Sequence, residues 1–173
     1  VCPCWELAVQ SGDDEVLRRM ARGYTVERFL DLVERIRRAT PDGALNTDII
    51  VGFPGETEAQ FERTLALVER VRFDVVHVAA YSPRPGTVAA SWEDDVPLAE
   101  KERRRIAIER AQQRIAGEIN ARLLGQTVEV LVEGQQKGRW RGRTCTNKLV
   151  FVEPTGAELQ GKLVPVRLTW TGP

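Results

Sequence analysis

Five groups of residues in this 173-residue chain have types and spacings that could do chemistry. Cys2-Pro3-Cys4 brings two thiols together, but a zinc knuckle wants at least two intervening residues and a second ligand pair. The only other cysteine is Cys145, so neither a metal site nor a disulfide framework is expected. The single histidine, His77, lies among valines and reads as a packed strand residue; one histidine cannot assemble a Ser-His-Asp or Cys-His set. Gly52-Phe53-Pro54-Gly55-Glu56-Thr57 has glycines that let backbone approach a ligand and leads into a helix start with free N–H groups. It lacks the Gly-Lys-Ser/Thr ending of a nucleotide phosphate loop, and a plain tight turn fits it as well. In Tyr81-Ser82-Pro83-Arg84-Pro85-Gly86-Thr87, two prolines stiffen the loop and hold Arg84 outward. A guanidinium so placed suits a carboxylate or phosphate, although a solvated loop arginine fits too. Finally, Arg139-Trp140-Arg141-Gly142-Arg143 interleaves cations with an aromatic ring at the edge of an expected β-barrel. Guanidinium groups could meet RNA phosphates and Trp140 a base or sugar. Alternation alone would equally put those arginines on a solvated face.

The elements that must position these groups fall into two patterns. In the first two-thirds, strand and helix signals alternate. Residues 1–9 read as a strand entered from its middle, ended by Ser11-Gly12-Asp13-Asp14, and a helix at 15–21 follows. Thr25 caps a second helix with Phe29, Leu32, Val33 and Ile36 at helical spacing. The apolar run 45–53 predicts a strand covered on both faces. Thr57-x-x-Gln60 is a capping box opening a helix with Phe61, Leu65 and Val68 on one side, and 74–81 is the next strand. Strand, helix and strand make a βαβ unit, hence a parallel sheet. A long helix at 98–124 carries Ile108, Ala111, Ile115, Ile119 and Leu123, and its charge run 100–105 reads as a solvated face. From Gly125 the period becomes two, with Val128, Val130 and Val132 alternating with Glu129, Leu131 and Glu133. The fold class is therefore α/β over 1–124, followed by a small all-β barrel over 125–173.

Composition narrows the function. The chain has 25 Lys+Arg against 25 Asp+Glu and is 42% hydrophobic, so it is neither polybasic nor disordered. The charge is unevenly divided: +3 in 125–173 and −3 in the remainder. No run of about 18 apolar residues suggests a membrane helix, and no signal peptide is visible. A cytoplasmic, monomeric protein is expected. Because the chain opens in mid-strand at Val1, it is expected to be the C-terminal piece of something longer.

Four stretches resemble, in order, the C-terminal part of the radical-SAM methylthiotransferases. They are VQSGDDEVLRRMARGY (9–24), TDIIVGFPGET (47–57), YSPRPGT (81–87) and GRTCTNKLV (142–150). The last two resemble the tRNA-modifying branch rather than the branch that modifies a ribosomal-protein aspartate. The resemblance implies the second half of a radical-SAM (β/α) barrel, then a TRAM domain, a small RNA-binding barrel. It implies addition of a methylthio group to N6-isopentenyladenosine beside the tRNA anticodon. The implied cofactors are S-adenosyl-L-methionine, cleaved in one role to a radical and donating a methyl group in another, and two four-iron clusters.

Carried over residue by residue, the resemblance assigns Gln10, Ser11, Asp48, Ile50, Gly52, Gly55, Tyr81 and Arg84 to the S-adenosyl-L-methionine pocket. It assigns Arg139, Trp140, Arg141, Arg143, Thr144, Asn147 and Lys148 to tRNA. No catalytic residue and no metal ligand is expected in this chain, since a radical-SAM cluster needs Cys-x3-Cys-x2-Cys. The ligands would lie in N-terminal cluster-bearing domains of the same polypeptide. The chain departs from the family at Cys4 and Glu6, where histidine is usual, at Ala8, where proline is usual, and at Cys145, where a basic residue is usual. Other readings stay open: the same chemistry on threonylcarbamoyladenosine or a ribosomal-protein aspartate, or a non-catalytic RNA-binding remnant.

Overall fold

The computed structural model describes residues 2–154 and 156–173. Val1, read as the start of the first strand, lies outside the described residues. Strand β1 (Cys4–Glu6) is followed by α1 (Asp14–Arg19), α2 (Val26–Ala39), β2 (Ala44–Val51), α3 (Glu58–Val71), β3 (Val75–Ala80) and α4 (Leu98–Ala121). The three strands form a parallel sheet in the order β1-β2-β3, and Gln10 adds an isolated parallel bridge to Ile49. The expected βαβ crossover is present as β2-α3-β3. The strand at 45–53 ends earlier, at Val51, because Gly52 turns the backbone with a φ of 70°.

Local sequence explains each helix start. Asp13, Thr25 and Thr57 accept from Val16, Arg28 and Gln60 N–H groups, and Gln60 returns a bond to Thr57 in the anticipated capping box. Helices cover one face of the sheet, where Leu45, Ile49 and Val51 of β2 meet Phe29, Val33, Phe61, Val68, Ile108 and Ile115. Leu32, expected in that core, is exposed at the rim of α2.

The remaining strands are β4 (Thr127–Gln136), β5 (Arg139–Thr144), β6 (Leu149–Val152) and β7 (Leu163–Arg167). They form a second, antiparallel sheet in the order β6-β5-β4-β7, with a register shift between Val132 and Gly134. No ladder joins β6 to β7 among the described residues, so the strands of the expected barrel are seen as a four-stranded antiparallel sheet. The parallel part, expected to be the second half of a (β/α) barrel, is a three-stranded sheet with helices on one face. The predicted alternation holds: Val130 and Val132 are buried while Glu129, Leu131 and Glu133 face outward. No helix among the described residues is long and apolar enough to cross a membrane.

Candidate functional site

The C-terminal ends of β2 and β3 lie side by side, where sheets of this kind place ligands. The Gly52–Thr57 loop there is braced from below. The Glu56 carboxylate accepts from the Gly52 N–H at 2.6 Å and from Arg104 at 2.8 Å, with both side chains 5% exposed or less. Burial pushes the Glu56 carboxyl above its ordinary range, against the opposing pull of Gly52 N–H and Arg104. Lys101, also buried, reaches Asp94 at 2.6 Å and lies over the Tyr81 ring. Arg19 donates to the carbonyls of Pro54 and Gly55, and Asp95 accepts from the Gly55 N–H.

This bracing gives Gly52 and Gly55 a different reason for being glycine. A Cβ at Gly52 would strike the Lys101 stem, and one at Gly55 would strike the Arg19 guanidinium; both glycines also hold positive φ. Ser11 is likewise committed: fully buried, it shares a hydrogen bond with Thr64 Oγ1 at 3.3 Å, while the Gly12 N–H donates to the same oxygen. Tyr81 gives its hydroxyl to the Ala89 carbonyl and its ring edge to Phe53.

Other residues of the expected pocket remain available. Gln10 is 7% exposed with a φ of 67°, and its side-chain amide has no hydrogen-bond partner among the described residues. Asp48 and Ile50 alternate with the core residues of β2 and so lie on the face that the helices leave uncovered. His77, expected to be packed, is exposed on that face and in register with Asp48. Arg84 is exposed and forms no ion pair among the described residues, as the two prolines suggest. Asp48, Ile50 and His77 thus share the uncovered face, with Arg84 exposed in the loop beyond β3.

The cysteines do not converge on a cluster site. Cys4 accepts from Asn46 on the uncovered sheet face, and burial, then the Glu6 carboxylate, pushes its thiol up and keeps it neutral. Cys145 is exposed in the turn between β5 and β6. No group of three His, Cys, Asp or Glu that could hold a metal occurs among the described residues.

The basic segment proves to be β5, an interior strand rather than an edge. Its alternation sends Trp140 and Gly142 inward, and Trp140 is only 5% exposed; the ring expected to meet a base is core. Arg139, Arg141 and Arg143 form a file on the outer face. Their carboxylate contacts are long and exposed: Arg139 to Glu153 at 3.9 Å, and Arg141 and Arg143 to Glu133 at 3.8 and 3.5 Å. Such pairs contribute little and exchange readily for other anions. Arg139 also lies over the exposed Phe151 ring. Thr144 and Asn147 build the turn: the Thr144 Oγ1 accepts from Lys148 N–H, and Asn147, at a φ of 63°, accepts from Arg143. Lys148 instead turns inward to Asp74 at 2.7 Å.

The residues missed from sequence are Lys101 and Arg104, assigned to a solvated charge run yet 3% and 4% exposed. Their signal was present: positions 101, 104, 108, 111 and 115 continue one helical stripe.

Comparison with known proteins agrees with both patterns. Residues 4–68 match the radical SAM superfamily, and residues 121–171 match the TRAM domain. The chain is similar to three proteins named tRNA-2-methylthio-N(6)-dimethylallyladenosine synthase. It is 56% identical to that of Roseiflexus sp. (strain RS-1), 55% to that of Herpetosiphon aurantiacus and 57% to that of Chloroflexus aurantiacus. The matches cover 99%, 100% and 96% of this chain but only 37%, 40% and 36% of those relatives. The likeness to the radical SAM superfamily thus runs from β1 through α1, α2 and β2 into α3, and the likeness to the TRAM domain spans the antiparallel sheet.

Proposed function

We propose that this chain is the C-terminal part of a tRNA methylthiotransferase that adds a methylthio group to C2 of N6-dimethylallyladenosine (isopentenyladenosine) beside the anticodon. The observation that carries this reading is one continuous likeness. It runs at 55–57% identity through both the strand-tip unit and the sheet bearing the arginine file. Residues 1–124 and 125–173 would form its two units. Arg139, Arg141 and Arg143 would take RNA phosphates, with Thr144 and Asn147 holding the turn that presents them. Gln10, Asp48, Ile50 and Arg84 would bind and orient S-adenosyl-L-methionine, while Ser11, Gly52, Gly55 and Tyr81 fix the backbone beneath. That cofactor, together with iron–sulfur clusters held by other parts of the polypeptide, would supply the radical, sulfur and methyl chemistry.

The test is to express the full-length protein in a bacterium lacking its own methylthiotransferase and to analyse its tRNA nucleosides by mass spectrometry. Appearance of 2-methylthio-N6-dimethylallyladenosine is expected. Persistence of unmodified N6-dimethylallyladenosine, with the protein folded and its clusters present, overturns the reading.

A further inference from the structure

Lys148 adjoins Leu149, which pairs with Arg143 at the end of the file of exposed arginines, yet it behaves differently from them. Its ammonium lies 2.7 Å from Asp74 Oδ1, with the lysine side chain 19% and the aspartate 13% exposed. Asp74 sits where three elements of the parallel unit meet. Its Oδ2 accepts from the Leu45 N–H of β2 at 3.0 Å, its carbonyl accepts from Gln112 of α4 at 2.8 Å, and β3 begins at the next residue. Lys148 is aimed as well as paired. Its N–H donates to Thr144 Oγ1 and its carbonyl accepts from the Thr144 N–H, across a turn that Asn147 closes in the left-handed region. The side chain thus leaves a rigid turn and reaches a rigid corner. One further tie joins the two units, from Asn120 of α4 to the Gly172 carbonyl at 2.8 Å.

We infer that Lys148 is a positioning residue that pins the antiparallel sheet to the parallel unit through Asp74, and that it is not an RNA contact. With α4 as the covalent link and Lys148–Asp74 as a second attachment, the antiparallel sheet cannot swivel about the helix end. The arginine file then keeps one orientation relative to the strands. Arg139, Arg141 and Arg143 remain the RNA-facing charges of the function proposed above, on which one arm of the test rests.

The experiment compares wild type, Lys148→Ala and Lys148→Arg in the full-length protein, using amide hydrogen exchange and tRNA binding across a salt series. In Lys148→Ala, exchange at Leu45 and across 74–78, and across 144–149, is expected to rise by about tenfold, as when a partly shielded ion pair is broken. Lys148→Arg should restore it. Binding should weaken in Lys148→Ala with the slope of log affinity against log salt unchanged, because no phosphate contact is lost. A slope reduced by about one would make Lys148 a phosphate contact and overturn the inference. So would exchange at 74–78 that stays at the wild-type rate or rises equally throughout α1 and α2. Should the wild-type protein bind no tRNA, the proposed function fails while the exchange arm still decides this point.

Discussion

Two clusters of charge in this molecule look alike in sequence and do opposite work. At the strand tips, Glu56, Arg104, Lys101 and Asp94 meet at 2.5–2.8 Å, and three of the four side chains are 5% exposed or less. On β5, Arg139, Arg141 and Arg143 meet carboxylates at 3.5–3.9 Å and are 43–50% exposed. A buried charge can neither lose its partner nor accept a new one cheaply, so the first cluster is committed to shaping a loop. The second is surrounded by water, its present partners contribute little, and a polyanion can displace them. What separates structural from recognition charge is burial, not residue type.

That contrast can be broken in several ways. The largest effects belong to side chains inside the fold. Arg104→Ala strands the Glu56 carboxylate and should cost about 3–5 kcal/mol in urea unfolding. Trp140→Ala should cost a similar ~3–5 kcal/mol through the cavity it leaves, and Trp140→Phe should recover much of that with tRNA affinity intact. Loss of affinity in a stable Trp140→Phe protein would return the ring to the RNA surface. Next, Gly52→Ala should cost about 1–3 kcal/mol, since alanine is strained at positive φ and its methyl displaces Lys101. The exposed file should behave differently: Arg141→Ala with Arg143→Ala leaves stability within about 0.5 kcal/mol but flattens the salt dependence of tRNA binding by about two phosphate contacts. An unchanged slope would remove the file from the interface.

The smallest effect is on pH. Hydrogen bonds from Arg103 and Arg104 hold the Glu100 carboxyl down at about 2. A carboxyl depressed on folding stabilises the native state above its ordinary value near 4.5 and loses that contribution as pH falls toward 2. Glu56 has the opposite sign: its raised carboxyl favours the folded state most below about 4.5 and less as pH rises. Glu100→Gln should therefore flatten the fall of the urea midpoint below pH 4.5, whereas wild type keeps it.

The alternating parallel unit, the three N-caps and the alternation along β4 were legible because each is a local rule: helical period, capping spacing, period two. The buried Lys101 and Arg104 were obscured by their own chemistry, since a charge run ordinarily signals solvent. Only their continuity with Ile108, Ala111 and Ile115 betrayed them. Trp140 failed for the reverse reason: interleaving with arginines suggested one surface, whereas a pleated strand sends neighbours to opposite faces. Ser11, Gly52 and Gly55 are explained by partners 36 to 53 residues away in sequence, in Thr64, Lys101 and Arg19 respectively, which no local pattern reveals.

The place of Lys148 also sets a length. It fixes the turn beside Arg143 at the entry of β3, while Tyr81 and the Gly52 loop mark the exit of the paired strands. Six residues of strand separate the two, roughly 20 Å at 3.3 Å per residue. The molecule is in this respect a ruler. Any ligand that touches both marks must therefore span about two nanometres, a length set by the sheet itself rather than by any one side chain.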